Sequence, residues 1–118
     1  MQRSGGKPLI ENPHFAARIA QAEIDLMARA TTNLRMLSKA AAGQAPGAES
    51  SMLKIKGTVI RQEINDLMRR AMGPYALPYR PDTGDNAAPH YFINRKLSIF
   101  GGSNETQRAI ISNAILGL

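Results

Sequence analysis

An all-α fold, an antiparallel helical bundle of three long helices, is what this sequence predicts, and three observations predict it. Apolar residues recur at three- and four-residue steps along three segments, the spacing that lines one face of a helix. Glycine and proline punctuate those segments where helices stop. The core-forming residues are Ile, Leu, Met and Ala, with six Met, only 5% aromatics and no Trp, a composition that suits helices better than β-sandwiches. No repeat of 20 to 50 residues competes with this reading.

Residues 1–12 carry Gly5, Gly6, Lys7 and Pro8 without periodicity and read as a flexible lead-in; residues 13–118 form the helical domain. Asn12 before Pro13 is a helix start, because the Asn side chain accepts from an orphan N–H while Pro loses nothing at the first helical position. Phe15, Ile19, Ala22, Leu26, Ala30, Leu34 and Leu37 then form one apolar stripe to about Ala42, and Gly43, Pro46 and Gly47 end it. Ser50 or Ser51 offers the next cap. Leu53, Ile60, Ile64, Leu67 and Ala71 continue a second long helix, which Gly73 and Pro74 stop. Gly57 inside it costs about 1 kcal/mol relative to Ala, so it is either a close approach to a neighbouring helix or ligand, or a tolerated glycine. From 73 to 95, Pro74, Pro78, Pro81, Gly84 and Pro89 interleave with Tyr75, Tyr79 and Tyr91; an irregular connection is expected, with a short extended or 3₁₀ piece near Tyr91 to Lys96. Finally Gly101-Gly102-Ser103 opens a helix through Ile110, Ile111, Ala114 and Ile115, with Ser103 as its cap and Glu105 in its first turn at the positive end of the dipole.

Length and composition bound the function. The 118 residues make one small domain, and 43% hydrophobic with 20% charged content excludes wholesale disorder. Without cysteine there are no disulfides and no thiolate metal sites. No apolar run nears the roughly 18 residues of a membrane span, and the N-terminus lacks a secretory pattern, so a cytoplasmic location with no membrane partner is expected. The formal charge of +6 asks for an anionic partner such as nucleic acid, a phospholipid surface or the phosphates of a cofactor. Lys54, Lys56, Arg61, Arg69 and Arg70 make the second helix a candidate phosphate-binding face, equally readable as solvated surface. The layout supplies no recognition helix and turn, so no nucleic acid is expected.

Few residues offer chemistry by spacing alone. Two glycines and a serine ahead of a helix suit an anion, because the backbone can approach closely and the free N–H groups point outward; the same residues also make an ordinary turn and cap, and both readings stay open. His14 is expected exposed in a first helical turn and His90 in a loop, with no ligand-spaced carboxylates, so no metal is expected. Glu11, Glu23, Asp25, Glu49, Glu63 and Asp66 read mostly as solvated helix faces. No spacing singles out a nucleophile.

The run Ile99-Phe100-Gly101-Gly102-Ser103-Asn104-Glu105-Thr106-Gln107-Arg108-Ala109-Ile110-Ile111, closing on Ile115-Leu116-Gly117-Leu118, closely resembles the C-terminal signature of acyl-CoA dehydrogenases. The resemblance extends upstream through Ser51-Met52-Leu53-Lys54-Ile55-Lys56-Gly57-Thr58 to Met72-Gly73-Pro74, and more loosely to the helix at 12–42, covering about residues 8–118. It implies the last three long helices of that family's C-terminal four-helix bundle. It further implies FAD as cofactor, acyl-CoA thioesters as the substrate class oxidised to 2-enoyl-CoA, an electron-transfer flavoprotein as the usual acceptor, and a homo-oligomer.

For residues, the resemblance implies that Ser103, Asn104 and Glu105 contact FAD and that Gly102 lies beside the thioester, with Phe100 facing the acyl pocket. Arg70, Ala71, Met72, Gly73 and Pro74 match a second FAD-contacting stretch, presented to the flavin of a neighbouring subunit; Arg70 and Pro74 depart from the commoner residues there. No catalytic residue is carried over. In members that hold the base beside this turn, the glutamate would occupy position 101, and here that residue is Gly101. Other members place it on a helix ahead of the first one here. The N-terminal helical domain and the β-domain are likewise not among these residues, so the expectation is a C-terminal domain or split subunit, inactive alone and completed by a homo-oligomer or an N-terminal partner subunit. A non-catalytic helical oligomerisation module derived from the same family is the alternative.

Overall fold

The computed structural model describes residues 3–4, 7–78, 82 and 87–118, with side chains from residue 7 onward. Gly5 and Gly6 of the lead-in, and Tyr79, Pro81 and Gly84 of the connection, lie outside these residues. The described chain is mostly helical, with short turns between its helices and one small pairing of two-residue strands, β1 (Arg3–Ser4) with β2 (Lys7–Pro8), antiparallel with Arg3 opposite Pro8. Four α-helices follow: α1 (Pro13–Ala41), α2 (Glu49–Met72), α3 (Ala87–Ile93) and α4 (Asn104–Leu116). Three 3₁₀ turns accompany them, at Leu9–Glu11, Gly73–Ala76 and Asn94–Ser98. No described helix is long and apolar enough to cross a membrane.

The start of α1 follows its sequence signal. Asn12 Oδ1 accepts from the backbone N–H of His14 at 3.0 Å and of Phe15 at 3.2 Å, satisfying donors that the first turn cannot pair internally. The start of α2 does not follow the expected serine cap. The helix begins at Glu49, and the Ser50 hydroxyl donates back to the Gly47 carbonyl at 3.0 Å while Ser51 is buried within the first turn. The connection after Pro74 is also more regular than its prolines suggest. Residues 87–98 are helical, so His90 sits on α3, exposed, rather than in a loop. Pro89 falls at the third position of that short helix, where a missing N–H leaves no gap in the ladder.

The chain divides into two compact units, Met1–Ile24 with Arg61–Lys96, and Asp25–Ile60 with Leu97–Leu118. In the first, the N-terminal part of α1 meets the C-terminal part of α2, and Ala22, Leu67, Ala76, Ala87 and Ala88 are buried. Small residues dominate this core, so the elements approach closely and polar pairs hold their edges. Arg18 bridges from α1 to Glu63 and Asp66 of α2, and Gln62 Nε2 donates to the Asn94 carbonyl at 3.2 Å.

In the second unit the remaining halves of α1 and α2 run antiparallel. Lys56 faces Asp25, Arg29 crosses Gly57, and Lys39 pairs with Glu49, so position falls along α2 as it rises along α1. Gly57 is therefore a close approach: a Cβ there would stand 2.8 Å from Arg29 Nε. Buried here are Ile60 together with Ser51, Thr58 and Asn104. The α1 stripe divides accordingly. Ala22 is buried and Phe15 and Ile19 are half-buried, whereas Leu26, Leu34 and Leu37 are exposed, the last two at 66% and 58%.

Candidate functional site

The turn before α4 is built in the second unit. Gly101 and Gly102 have φ of +67° and +79°, a left-handed pair that side chains other than glycine rarely adopt. They reverse the chain so that Ser103 can cap α4, its Oγ accepting from the Thr106 N–H at 3.2 Å. Two further contacts brace the reversal. Gln107 Nε2 reaches back to the Gly101 carbonyl at 3.2 Å, and Lys54 Nζ on α2 donates to Asn104 Oδ1 at 2.9 Å. Thr58 Oγ1, one turn along α2 from Lys54, donates to the Lys54 carbonyl at 2.9 Å and lies 3.4 Å from the Leu97 carbonyl.

Of the predicted residues here, Phe100, Gly101, Gly102 and Glu105 are exposed, Ser103 is half-buried and Asn104 is buried. The Glu105 carboxyl is held below its ordinary value by its own backbone N–H and by the Ser103 hydroxyl. At position 101 there is no carboxylate, and the left-handed backbone disfavours one.

The second predicted stretch, Arg70, Ala71, Met72, Gly73 and Pro74, lies in the first unit at the end of α2 and the start of the following 3₁₀ turn. Ala71, Met72 and Gly73 are half-buried; Arg70 and Pro74 are exposed. Beside it sits a cluster that helix-face reasoning did not anticipate. Asp66 accepts from Arg18 Nη2 at 3.0 Å, Arg69 Nη2 at 2.9 Å and Arg70 Nε at 2.7 Å, while Arg18 Nε also donates to Glu63 at 2.9 Å. Partial burial pushes the Asp66 carboxyl up, but the three guanidiniums outweigh burial and hold it well below the usual carboxylate range. Its side chain is only 15% exposed, so it is not a solvated acid. The signal was in the spacing: Asp66 stands three and four residues before Arg69 and Arg70. Arg69 and Arg95 also lie over the Tyr91 ring, at 5.2 and 4.4 Å from its centroid.

The basic residues of α2 divide among different partners, with Arg61 exposed. Lys54 serves Asn104, Lys56 faces Asp25, and Arg69 and Arg70 serve Asp66. Among the described residues no group of three or more His, Asp or Glu could hold a metal. His14 is exposed in the first turn of α1. A cavity of about 410 Å³ in the second unit lies among Met36, Leu37, Ala40, Ala45 and Pro46 and contains none of the predicted site residues.

Compared with known families, residues 1–116 match the model of the acyl-CoA dehydrogenase C-terminal domain. The chain belongs to that family. The match reaches seven residues further toward the N-terminus than the signature residues carry the resemblance, taking in β1 and β2 of this acyl-CoA dehydrogenase domain. No curated protein and no solved structure matches the chain.

Proposed function

We propose that the chain is the C-terminal helical part of an FAD-dependent acyl-CoA dehydrogenase, supplying one portion of the flavin and acyl-CoA site. The observation that carries this reading is the exposed Gly101-Gly102 turn at the head of α4, in a chain of that family. Nothing lies within 4 Å of where a side chain would start on Gly101, so a planar ring or a thioester can approach the backbone there, while at Gly102 the mobile end of Gln107 would have to give way. The first N–H groups of α4 have no helical partner, and of these Thr106 is capped by Ser103. Those groups and the dipole favour electron-rich atoms. The residues present therefore fit a flavin. Bound there, FAD would accept the hydride that leaves the β-carbon of the acyl group.

In this reading Ser103, Asn104 and Glu105 hold the flavin and Gly102 lies beside the thioester, with Phe100 on the acyl side. Asn104 has already committed its Oδ1 to Lys54, which leaves its backbone N–H and its amide nitrogen to donate. Arg70 to Pro74 serve the flavin of a second subunit. The proton from the α-carbon needs a base, and Gly101 has none to offer; with the N-terminal and β-domains not among these 118 residues, they alone neither hold FAD tightly nor turn over acyl-CoA. A homo-oligomer, or a partner chain bearing the N-terminal and β-domains, completes the site; an electron-transfer flavoprotein reoxidises it in the cytoplasm.

A second reading, a non-catalytic oligomerisation module derived from the same family, is favoured by the exposed Leu26, Leu34 and Leu37 and by the glycine at position 101. Titrating FAD and acyl-CoA into the chain, alone and with the N-terminal and β-domains of a family member, separates the two. The enzyme reading expects yellow protein only in the second case. Colourless oligomers under every condition would favour the module, and dehydrogenase turnover by the 118 residues alone would refute their inactivity.

A further inference from the structure

We propose that Asp66 is a positioning residue that turns Arg70 outward, so that the terminal edge of the Arg70 guanidinium receives a phosphate-class oxyanion. The inference rests on the reading of Arg70 as part of the flavin-contacting stretch, and adds to it the residue that sets the geometry.

The argument begins with how the guanidinium is held. Arg70 meets Asp66 through Nε alone, at 2.7 Å. A guanidinium offers two bidentate edges, and a bond at Nε occupies the side edge while the end edge, Nη1 with Nη2, points away from the carboxylate. Neither Nη of Arg70 has a partner among the described residues, and the side chain is 53% exposed. The fork geometry that matches phosphate oxygens is thus already aimed at solvent, with its rotamer freedom restricted by the Asp66 bond before any ligand arrives.

The neighbours reinforce the aim. Arg18 and Arg69 spend their Nε and Nη2 groups on Glu63 and Asp66, leaving each an Nη1 without a hydrogen-bond partner among the described residues. Arg69 is further held over Tyr91. Three guanidiniums against two carboxylates leave the cluster a net cation. Asp66 is what keeps three like charges within reach of one another; without it they repel, and the long side chains regain their freedom. An arriving anion would then have to order them itself.

The two consequences of removing the carboxylate have opposite signs, which makes the proposal testable. Loss of a negative charge raises the local potential and favours an anion, but at 0.15 M salt the Debye length of roughly 8 Å screens much of that gain at an exposed site. Loss of the aim weakens binding, and the proposal holds that this effect wins. The probe is inorganic pyrophosphate, titrated calorimetrically into the 118-residue chain at pH 7 and 0.15 M salt, with phenylglyoxal labelling of Arg70 read by mass spectrometry. Pyrophosphate is expected to protect Arg70 in the unaltered chain. Asp66→Asn is expected to weaken binding at least tenfold and abolish protection with the helical circular dichroism unchanged, and Asp66→Glu to recover most of both. Should Asp66→Asn fail to fold, Arg70→Lys, which keeps the charge at an exposed position and removes the fork, is expected to show the same tenfold loss. Equal or tighter binding by Asp66→Asn or Arg70→Lys, or no protection of Arg70 in the unaltered chain, overturns the proposal. Protection by pyrophosphate without flavin uptake in the completed protein supports this inference and rejects the reading it rests on; flavin uptake with Arg70 left unprotected does the reverse.

Discussion

Lys54 Nζ and Asn104 Oδ1 stand 2.9 Å apart, and this bond fastens the first residue of α4 to α2. Asn104 is buried, so its carbonyl oxygen has little water to fall back on. Lys54→Met should keep the aliphatic contact and orphan that oxygen, at a cost of roughly 1–3 kcal/mol, the range for leaving a buried acceptor unsatisfied. Urea denaturation checks the magnitude. Hydrogen exchange should show the loosening concentrated at residues 103–107; uniform acceleration over the chain would mean that the bond does not anchor the turn.

Acid should draw down the stability that the Asp66 cluster contributes. The folded-state pKa of Asp66 lies below its unfolded value, so its contribution is fully present above about pH 4 and is lost as pH falls toward the folded-state value. Stability measured from pH 5 to pH 2 should therefore drop more steeply for the unaltered chain than for Asp66→Asn, whose side chain does not titrate. Parallel curves would assign the acid loss to other carboxylates.

Restoring a glutamate at position 101 should not create an enzyme. Nothing lies within 4 Å of a Cβ built on Gly101, but its φ of +67° imposes strain on any L side chain, about 1–2 kcal/mol. Gly101→Glu is expected to lower stability by that amount and to show no acyl-CoA oxidation by these residues alone. Thermal melts and a dye-reduction assay read both outcomes.

Gly57→Ala should be tolerated. The side chain that a new methyl would meet is the guanidinium end of Arg29, which is exposed and free to swing aside. Gain in helix propensity is about 1 kcal/mol, so the variant should be as stable as the original or up to that much better. A clear loss in a urea titration would show that the Arg29 crossing itself stabilises the pair.

Association should depend on the outer face of α1. Leu34 and Leu37 are exposed on neighbouring turns, and contiguous apolar surface of this kind tends to be covered by another chain. Light scattering at micromolar concentration should return more than one subunit for the unaltered chain and one for the Leu34→Glu, Leu37→Glu double variant.

Much of the fold was legible because its cues are local. Asn12-Pro13 marks the start of α1 and Gly73-Pro74 the end of α2, each acting on backbone groups within a turn of itself. Ser103 capping α4 is another such cue. The helix at 87–93 was not legible: its prolines argue for irregular chain, and only the burial of Ala87 and Ala88 shows why it folds. Of the candidate site, the Gly101-Gly102 turn and its Ser103 cap could be read as local structure, because glycines ahead of a capping serine act on backbone groups within one turn; spacing alone left open whether that turn also receives a ligand. The Asp66 cluster could not, because Arg18 comes from 48 positions away and no periodicity announces a partner across helices.

The uneven covering of α1 gives the molecule a built-in reporter of its own assembly. Over 13–24 Ala22 is buried and Phe15 and Ile19 are half-buried against chain already present; over 25–41 the helix is paired with α2 along one side only and leaves Leu26, Leu34 and Leu37 exposed. Deuterium uptake along the second stretch should therefore track how much of the population has found a neighbour, slowing as the helix gains cover, while the first stretch keeps a nearly constant rate and serves as the internal clock.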